Sequence, residues 1–235
     1  MVEKRGKLFV IEGTDGSGKE TQTEKIAERL NKNGICITFN FPRYETPTGE
    51  IIKRHLGKPP YEQEFGPSNL VDPKIASTWY ALDRLVARPE INSALELGFQ
   101  VFCNRYVESN MGHQGGKIRD AEERKKFIDW VDRLEYGSLK LPKPDKVFFL
   151  YMPHQVASEL RVGRVERRAV QRLDGHEGDP EHMKNAEQAY LELADRFGWK
   201  RIDCAPDGTR ASLRSIEDIS DELYKLCLNE ISKKI

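Results

Sequence analysis

Residues 7–21 read Lys-Leu-Phe-Val-Ile-Glu-Gly-Thr-Asp-Gly-Ser-Gly-Lys-Glu-Thr. An apolar run of strand length enters a glycine-rich loop and ends on a lysine, close to the pattern G-x-x-x-x-G-K-[ST]. Gly13, Gly16 and Gly18 let consecutive backbone N–H groups turn inward around an anion. A helix starting near Lys19 adds the positive end of its dipole, and Lys19 adds a mobile charge. An ordinary strand–helix turn also carries glycines, but strand, loop, lysine and helix come here in the order a phosphate cradle needs. One position departs from the pattern. Glu20 stands where a hydroxyl normally meets magnesium.

The rest of the chain gives this loop its setting. Five segments read as buried strands: Leu8–Glu12, Ile35–Phe41, Gln100–Asn104, Lys146–Met152 and Arg201–Cys204. Helical patterns separate them, at about Lys19–Asn31, Gly49–Leu56, Pro73–Gly98, Ala121–Tyr136, His154–Gln171, Pro180–Phe197 and Ser215–Ser232. Alternation of this kind predicts an α/β fold with a parallel sheet covered on both faces. Its ligands belong at the carboxyl ends of the strands. With 235 residues and no repeat or linker, one domain over 1–235 is expected.

Lys+Arg 38 balances Asp+Glu 38, so no charge excess calls for nucleic acid or an anionic membrane as partner. No apolar run approaches a bilayer span, and no signal region precedes the first strand. Cys36, Cys103, Cys204 and Cys227 are far apart, as expected of reduced, buried thiols in a cytoplasmic protein.

Several further motifs fall just beyond the strands. Phe41-Pro42-Arg43-Tyr44 follows the second and Asn104-Arg105-Tyr106 the third. Tyr80 and Arg84 lie four apart, on one face of a predicted helix. Arg161, Arg164, Arg168 and Arg172 share a helical face, with Arg167 beside them. A solvated charged surface fits that row as well, since Glu159 and Glu166 are interleaved. A core-edge aromatic beside a surface arginine would equally explain Tyr80 and Arg84.

Taken in order, these segments resemble the thymidylate kinase family of P-loop nucleoside monophosphate kinases, from about residue 7 to residue 205. The segments are Gly13–Thr21, Phe41-Pro42-Arg43, Trp79–Arg84, Asn104–Gln114 and Arg161–Glu177. The resemblance implies a P-loop NTPase fold with a five-stranded parallel sheet and an arginine-bearing lid at about 161–180. It implies transfer of the terminal phosphoryl of ATP to thymidine monophosphate, with Mg2+ as cofactor and a homodimer as the assembly.

Residue by residue, the resemblance places ATP along Gly13, Thr14, Asp15, Gly16, Ser17, Gly18, Lys19, Glu20 and Thr21. It places the monophosphate on Asp15, Arg43, Tyr80, Arg84, Arg105, Ser109, Asn110 and Gln114. Lys19, Arg105, Arg164 and Arg168 are then the catalytic residues. The family's arginine after the second strand falls one residue later, where this chain has Tyr44. Asn104 stands where the family carries aspartate, so two positions expected to serve magnesium are altered. One reading moves the carboxylate to Glu20; another leaves the ion to Thr21 or water; a third is lost catalysis. The alternatives for the whole chain are a kinase for another nucleotide or nucleoside, and a P-loop regulatory protein that binds nucleotide without turnover. The first differs in its acceptor panel, the second in giving no Lys19-dependent ADP formation.

Overall fold

The computed structural model describes residues 5–32, 34–165 and 180–233, with the side chains of these apart from 161–165 and 180. Five strands form one parallel sheet in the order β2-β3-β1-β4-β5. They are β1 (Leu8–Gly13), β2 (Cys36–Asn40), β3 (Gln100–Asn104), β4 (Lys146–Tyr151) and β5 (Lys200–Asp203). Among the described residues eight α-helices connect and flank them: α1 (Lys19–Asn31), α2 (Pro47–Leu56), α3 (Pro73–Glu96), α4 (Val107–Ser109), α5 (Ala121–Asp132), α6 (His154–Val165), α7 (Pro180–Phe197) and α8 (Ile216–Ser232). Every strand predicted from sequence is present, with ends displaced by one residue at most.

The period-two alternation of the strands splits the core into two layers. Leu8, Val10, Val101, Cys103 and Val147 face α3 and α5, packing on Ala87, Ile91, Phe127, Ile128 and Val131. Phe9, Ile11, Phe102, Phe148 and Leu150 face α1 and α8, against Ile26, Leu30, Leu223 and Cys227. Phe9 stacks between Phe102 and Phe148, with ring centroids 4.8 and 6.0 Å away. Burying each such side chain contributes about 1.5–3 kcal/mol. Central β1 is buried at all six positions, whereas edge strand β2 is buried only at Cys36 and Phe39.

Helix starts follow local chemistry. Thr46 accepts from the N–H of Gly49 and Pro47 takes the first turn, so α2 begins two residues before the predicted Gly49. Asp72 accepts from Lys74 and Ile75 at the start of α3. Two predicted outlines change. The single helix expected over Ala121–Tyr136 is α5 followed by a π-helical stretch, Arg133–Ser138. The segment to Gln114, for which no helix is predicted, is α4 followed by a second π-helical stretch, Asn110–Gln114. Ser109, Asn110 and Gly112 are weak helix formers, but packing fixes the conformation. A Cβ on Gly112 would lie 2.5 Å from the Tyr190 ring.

The sheet order sets the site. Ile11 of β1 is level with Asn104 of β3. The loop leaving β1 and the residue leaving β3 therefore emerge side by side, at the carboxyl end of the sheet.

Candidate active site

The loop from Gly13 to Gly18 joins β1 to α1. Gly16 and Gly18 adopt positive φ, 80° and 81°. Gly18 is the N-cap of α1 and supplies no side-chain cap hydrogen bond. The first-turn N–H groups thus keep the anion-binding character of a helix N-terminus. Thr14 fastens the loop to the end of β4: its hydroxyl donates to the Met152 carbonyl at 2.7 Å and accepts from the Met152 N–H at 2.8 Å. Lys19 is buried and donates to the carbonyls of Gly13 and Thr14 at 2.9 and 3.0 Å. Burial, then the neighbouring Arg105 charge, bring its pKa down to about 8, against the pull of Asp15 and Glu12.

Arg105 leaves β3 with φ 63°, in the left-handed region that a residue with a Cβ enters at a cost of about 1 kcal/mol. That conformation turns its guanidinium onto Asp15 at 2.8 Å and onto His113 Nε2 at 2.8 Å. Burial works to raise the Asp15 pKa, but the Arg105 and Lys19 charges outweigh it and hold the carboxyl far below the usual range. His113 is pushed well below an ordinary imidazole by burial, so its ring is neutral and free of competing charge beside Arg105.

Behind this cluster Glu12 is fully buried at the end of β1. It accepts from Ser109 Oγ at 2.8 Å and from the Tyr190 hydroxyl at 2.8 Å. Burial raises its pKa, against Arg105 and Lys19. Sequence reasoning missed Glu12, His113 and Tyr190. Glu12 did carry a signal: a carboxylate inside a strand that is otherwise apolar.

A cleft opens in front of Arg105, lined by Asp15, Phe41, Pro42, Tyr44, Leu56, Tyr80, Arg84, Arg105, Ser109, Asn110, His113 and Gln114. Seven of the eight residues expected to hold the monophosphate therefore meet at one cleft; Arg43 is the exception. Its Nε donates to Asp83 Oδ1 at 3.1 Å and its Nη2 to the Asp83 carbonyl at 2.8 Å, while Tyr44 takes the place on the wall.

Arg84 is only 2% exposed. Its Nε and Nη2 donate side-on to both oxygens of Glu135, at 2.6 and 2.7 Å. Asn110 Nδ2 donates to Ser77 O at 3.1 Å and to Glu135 Oε1 at 2.8 Å. Gln114 is buried with Oε1 lacking a protein partner among the described residues.

Glu20 is exposed in the first turn of α1. Asn104 Oδ1 and Ser17 Oγ are buried without a protein partner. Among the described residues no cluster of three or more His, Cys, Asp or Glu could hold a metal ion. Of the arginines expected to form a lid, Arg161 and Arg164 lie on α6, with side chains outside the described residues. Arg167, Arg168 and Arg172, with the 174–177 segment, lie outside them altogether.

A glycine-rich loop with a buried lysine stands beside a cleft lined by Arg84, Arg105 and the amides of Asn110 and Gln114, the residue types that a site for two phosphorylated ligands needs. This defines the class: a P-loop nucleoside monophosphate kinase. The family model for thymidylate kinase matches residues 11–216. The chain belongs to the thymidylate kinase family.

It is 32% identical over 194 residues to a thymidylate kinase of Mycobacterium tuberculosis, covering 82% of this chain and 87% of the relative. It is 29% identical to one of Plasmodium falciparum, covering 95% and 90%. The thymidylate kinase of Candida albicans shares its fold, at 21% identity and a TM-score of 0.68, with 96% of this chain and 92% of that chain covered.

Proposed function

We propose that this chain transfers the terminal phosphoryl group of ATP to thymidine monophosphate, giving thymidine diphosphate. The observation that carries this reading is the acceptor cleft. Arg105 meets the P-loop at Asp15, Arg84 and Asn110 meet on Glu135, and Gln114 lines the same cleft. ATP lies along Gly13–Thr21, with backbone N–H groups and Lys19 on its outer phosphates. Arg105 receives the acceptor phosphate through a guanidinium already turned toward Asp15. Tyr80 stacks on the base, Arg84 donates to a base carbonyl, and the amides of Asn110 and Gln114 meet the pyrimidine edge. Asp15 lies at the acceptor sugar.

Phosphoryl transfer asks the protein mainly to align the two ends and to stabilise charge on the moving group. Lys19 does this from the loop, and Arg164 and Arg168 from the lid. A bound magnesium ion would supply charge neutralisation on the phosphates. It keeps several waters and needs few protein ligands. The orphan oxygens of Asn104 and Ser17, the Thr21 hydroxyl and the Glu20 carboxylate are all hard donors of the kind it takes.

Two wider readings have support of their own. Ile75, Leu82 and Val86 on α3 are 53%, 39% and 56% exposed, at spacings that put them on one stripe, as a homodimer contact requires. The four cysteines are buried and unpaired, in keeping with a reducing, cytoplasmic setting. No helix among the described residues is long and apolar enough to cross a membrane.

A coupled assay with ATP, magnesium and a panel of monophosphates and nucleosides tests the proposal. Lys19-dependent ADP formation with thymidine monophosphate, above the other acceptors, is the expected result. No turnover with any acceptor would favour the regulatory alternative.

A further inference from the structure

We infer that Glu135, on the π-helical stretch Arg133–Ser138, is the positioning residue that makes the acceptor cleft selective for a 4-oxo pyrimidine over a 4-amino one. The inference rests on the reading of the cleft as a monophosphate site. It assigns the base discrimination to a residue that does not line that cleft.

Glu135 is completely buried and binds both polar groups of the wall at once. Its Oε1 accepts from Arg84 Nη2 and Asn110 Nδ2, at 2.7 and 2.8 Å, and its Oε2 from Arg84 Nε at 2.6 Å. A carboxylate beside a guanidinium is acceptor-only. Together with the Ser77 carbonyl, which also only accepts, it sets which way the Asn110 amide lies. Both hydrogens of Asn110 Nδ2 are spent, one on Glu135 and one on the Ser77 carbonyl. Oδ1 makes no bond among the described residues and remains the group offered to the cleft. The same contact spends two of the three Arg84 nitrogens and leaves Nη1.

The wall thus presents one fixed donor and one fixed acceptor. A 4-oxo pyrimidine offers a carbonyl and an N3–H, which match that pair. A 4-amino pyrimidine offers an amino group and a bare N3, which oppose it at both points. Leaving buried polar groups unpaired is the strongest form of rejection a site of this kind has.

Glu135→Gln weakens the dictation. A glutamine at 135 can donate to Asn110 Oδ1 while its own oxygen still accepts from Arg84 Nε, which leaves the Ser77 carbonyl alone to hold the amide in its present orientation. The test compares kcat/KM for thymidine, deoxyuridine and deoxycytidine monophosphates in wild type, Glu135→Gln and Glu135→Asp. The shorter aspartate keeps the charge opposite Arg84 but spans less of the distance to Asn110.

The expected result is a fall of at least tenfold in the 4-oxo to 4-amino ratio for Glu135→Gln. KM for the 4-oxo acceptors should carry most of it, with kcat little changed. Glu135→Asp should lose at least threefold. A purely structural role would lower all acceptors together and leave the ratio fixed. That outcome, in whichever variants remain folded by circular dichroism, overturns the inference. A wild type that does not discriminate between the acceptors overturns the reading of the cleft itself, which separates the two failures.

Discussion

Arg84 and Arg105 line the same cleft and are held in opposite ways. Arg84 is sealed into the wall, 2% exposed, with a dedicated buried carboxylate taking two of its nitrogens. Arg105 stays 24% exposed on a left-handed backbone, with its contacts on Asp15 and on a neutral imidazole. The first arrangement cancels a charge and leaves a directional donor, which suits an uncharged heterocycle. The second concentrates positive charge, because Lys19 shares Asp15 with Arg105 at 3.7 and 2.8 Å. That end suits an anion. One residue type serves two chemistries because the protein chooses how much of its charge to neutralise.

The contrast is open to direct attack. Arg84→Met should be the most damaging change, since it strands Glu135 without its partner in the core. Breaking a buried pair in this way costs about 3–5 kcal/mol, read as a lower urea midpoint. Arg105→Met should leave stability far less affected, because Asp15 retains Lys19. It should instead lower kcat/KM for the monophosphate by about 10²-fold, the scale of losing one preorganised charge contact. Equal stability losses in the two variants would remove the distinction drawn here.

Glu108, on α4, is buried and accepts from the Tyr136 hydroxyl at 2.7 Å. Burial brings its pKa from 4.5 up to about 7, opposed by the Tyr136 bond, with Glu12 adding to the rise and Arg84 opposing it. Its folded-state pKa is the higher one, so its contribution to stability is intact below pH 4.5 and lost as pH rises through 7. The full span corresponds to about 3 kcal/mol at most. Glu108→Gln should remove that slope, bringing the variant's melting temperature up relative to wild type between pH 5 and pH 8. A difference independent of pH would show that Glu108 is already ionised in the fold. The smallest effect expected is at the loop: Glu20→Gln and Glu20→Ser should raise the magnesium needed for half-maximal activity by a few fold. An unchanged requirement in both would assign the ion to other oxygens.

These residues also show where sequence reading stops. The P-loop was legible because its chemistry is local. Glycines, lysine and helix start lie within one short stretch, and backbone geometry does the binding. The five strands were legible because each carries its own apolar run. The base end was only half legible. Arg84 and Asn110 stood in recognisable segments, but Glu135 is 51 and 25 residues from them and joins them only after folding. The pairing of Arg43 was illegible for a similar reason. Its partner Asp83 comes from α3, forty residues away, and no short-range pattern signals that contact.

The two π-helical stretches give the cleft an unusual kind of adjustability. Asn110 and Gln114 bound one of them, and Glu135 lies within the other. A π-turn holds one residue more than the α-turn it replaces. Losing that residue would restore the ordinary helix and swing everything beyond it by about 100°. A single-codon deletion could then exchange the set of groups facing a base while every strand of the sheet kept its register. Helical phase, as well as the identity of side chains, thus sets which groups this cleft presents.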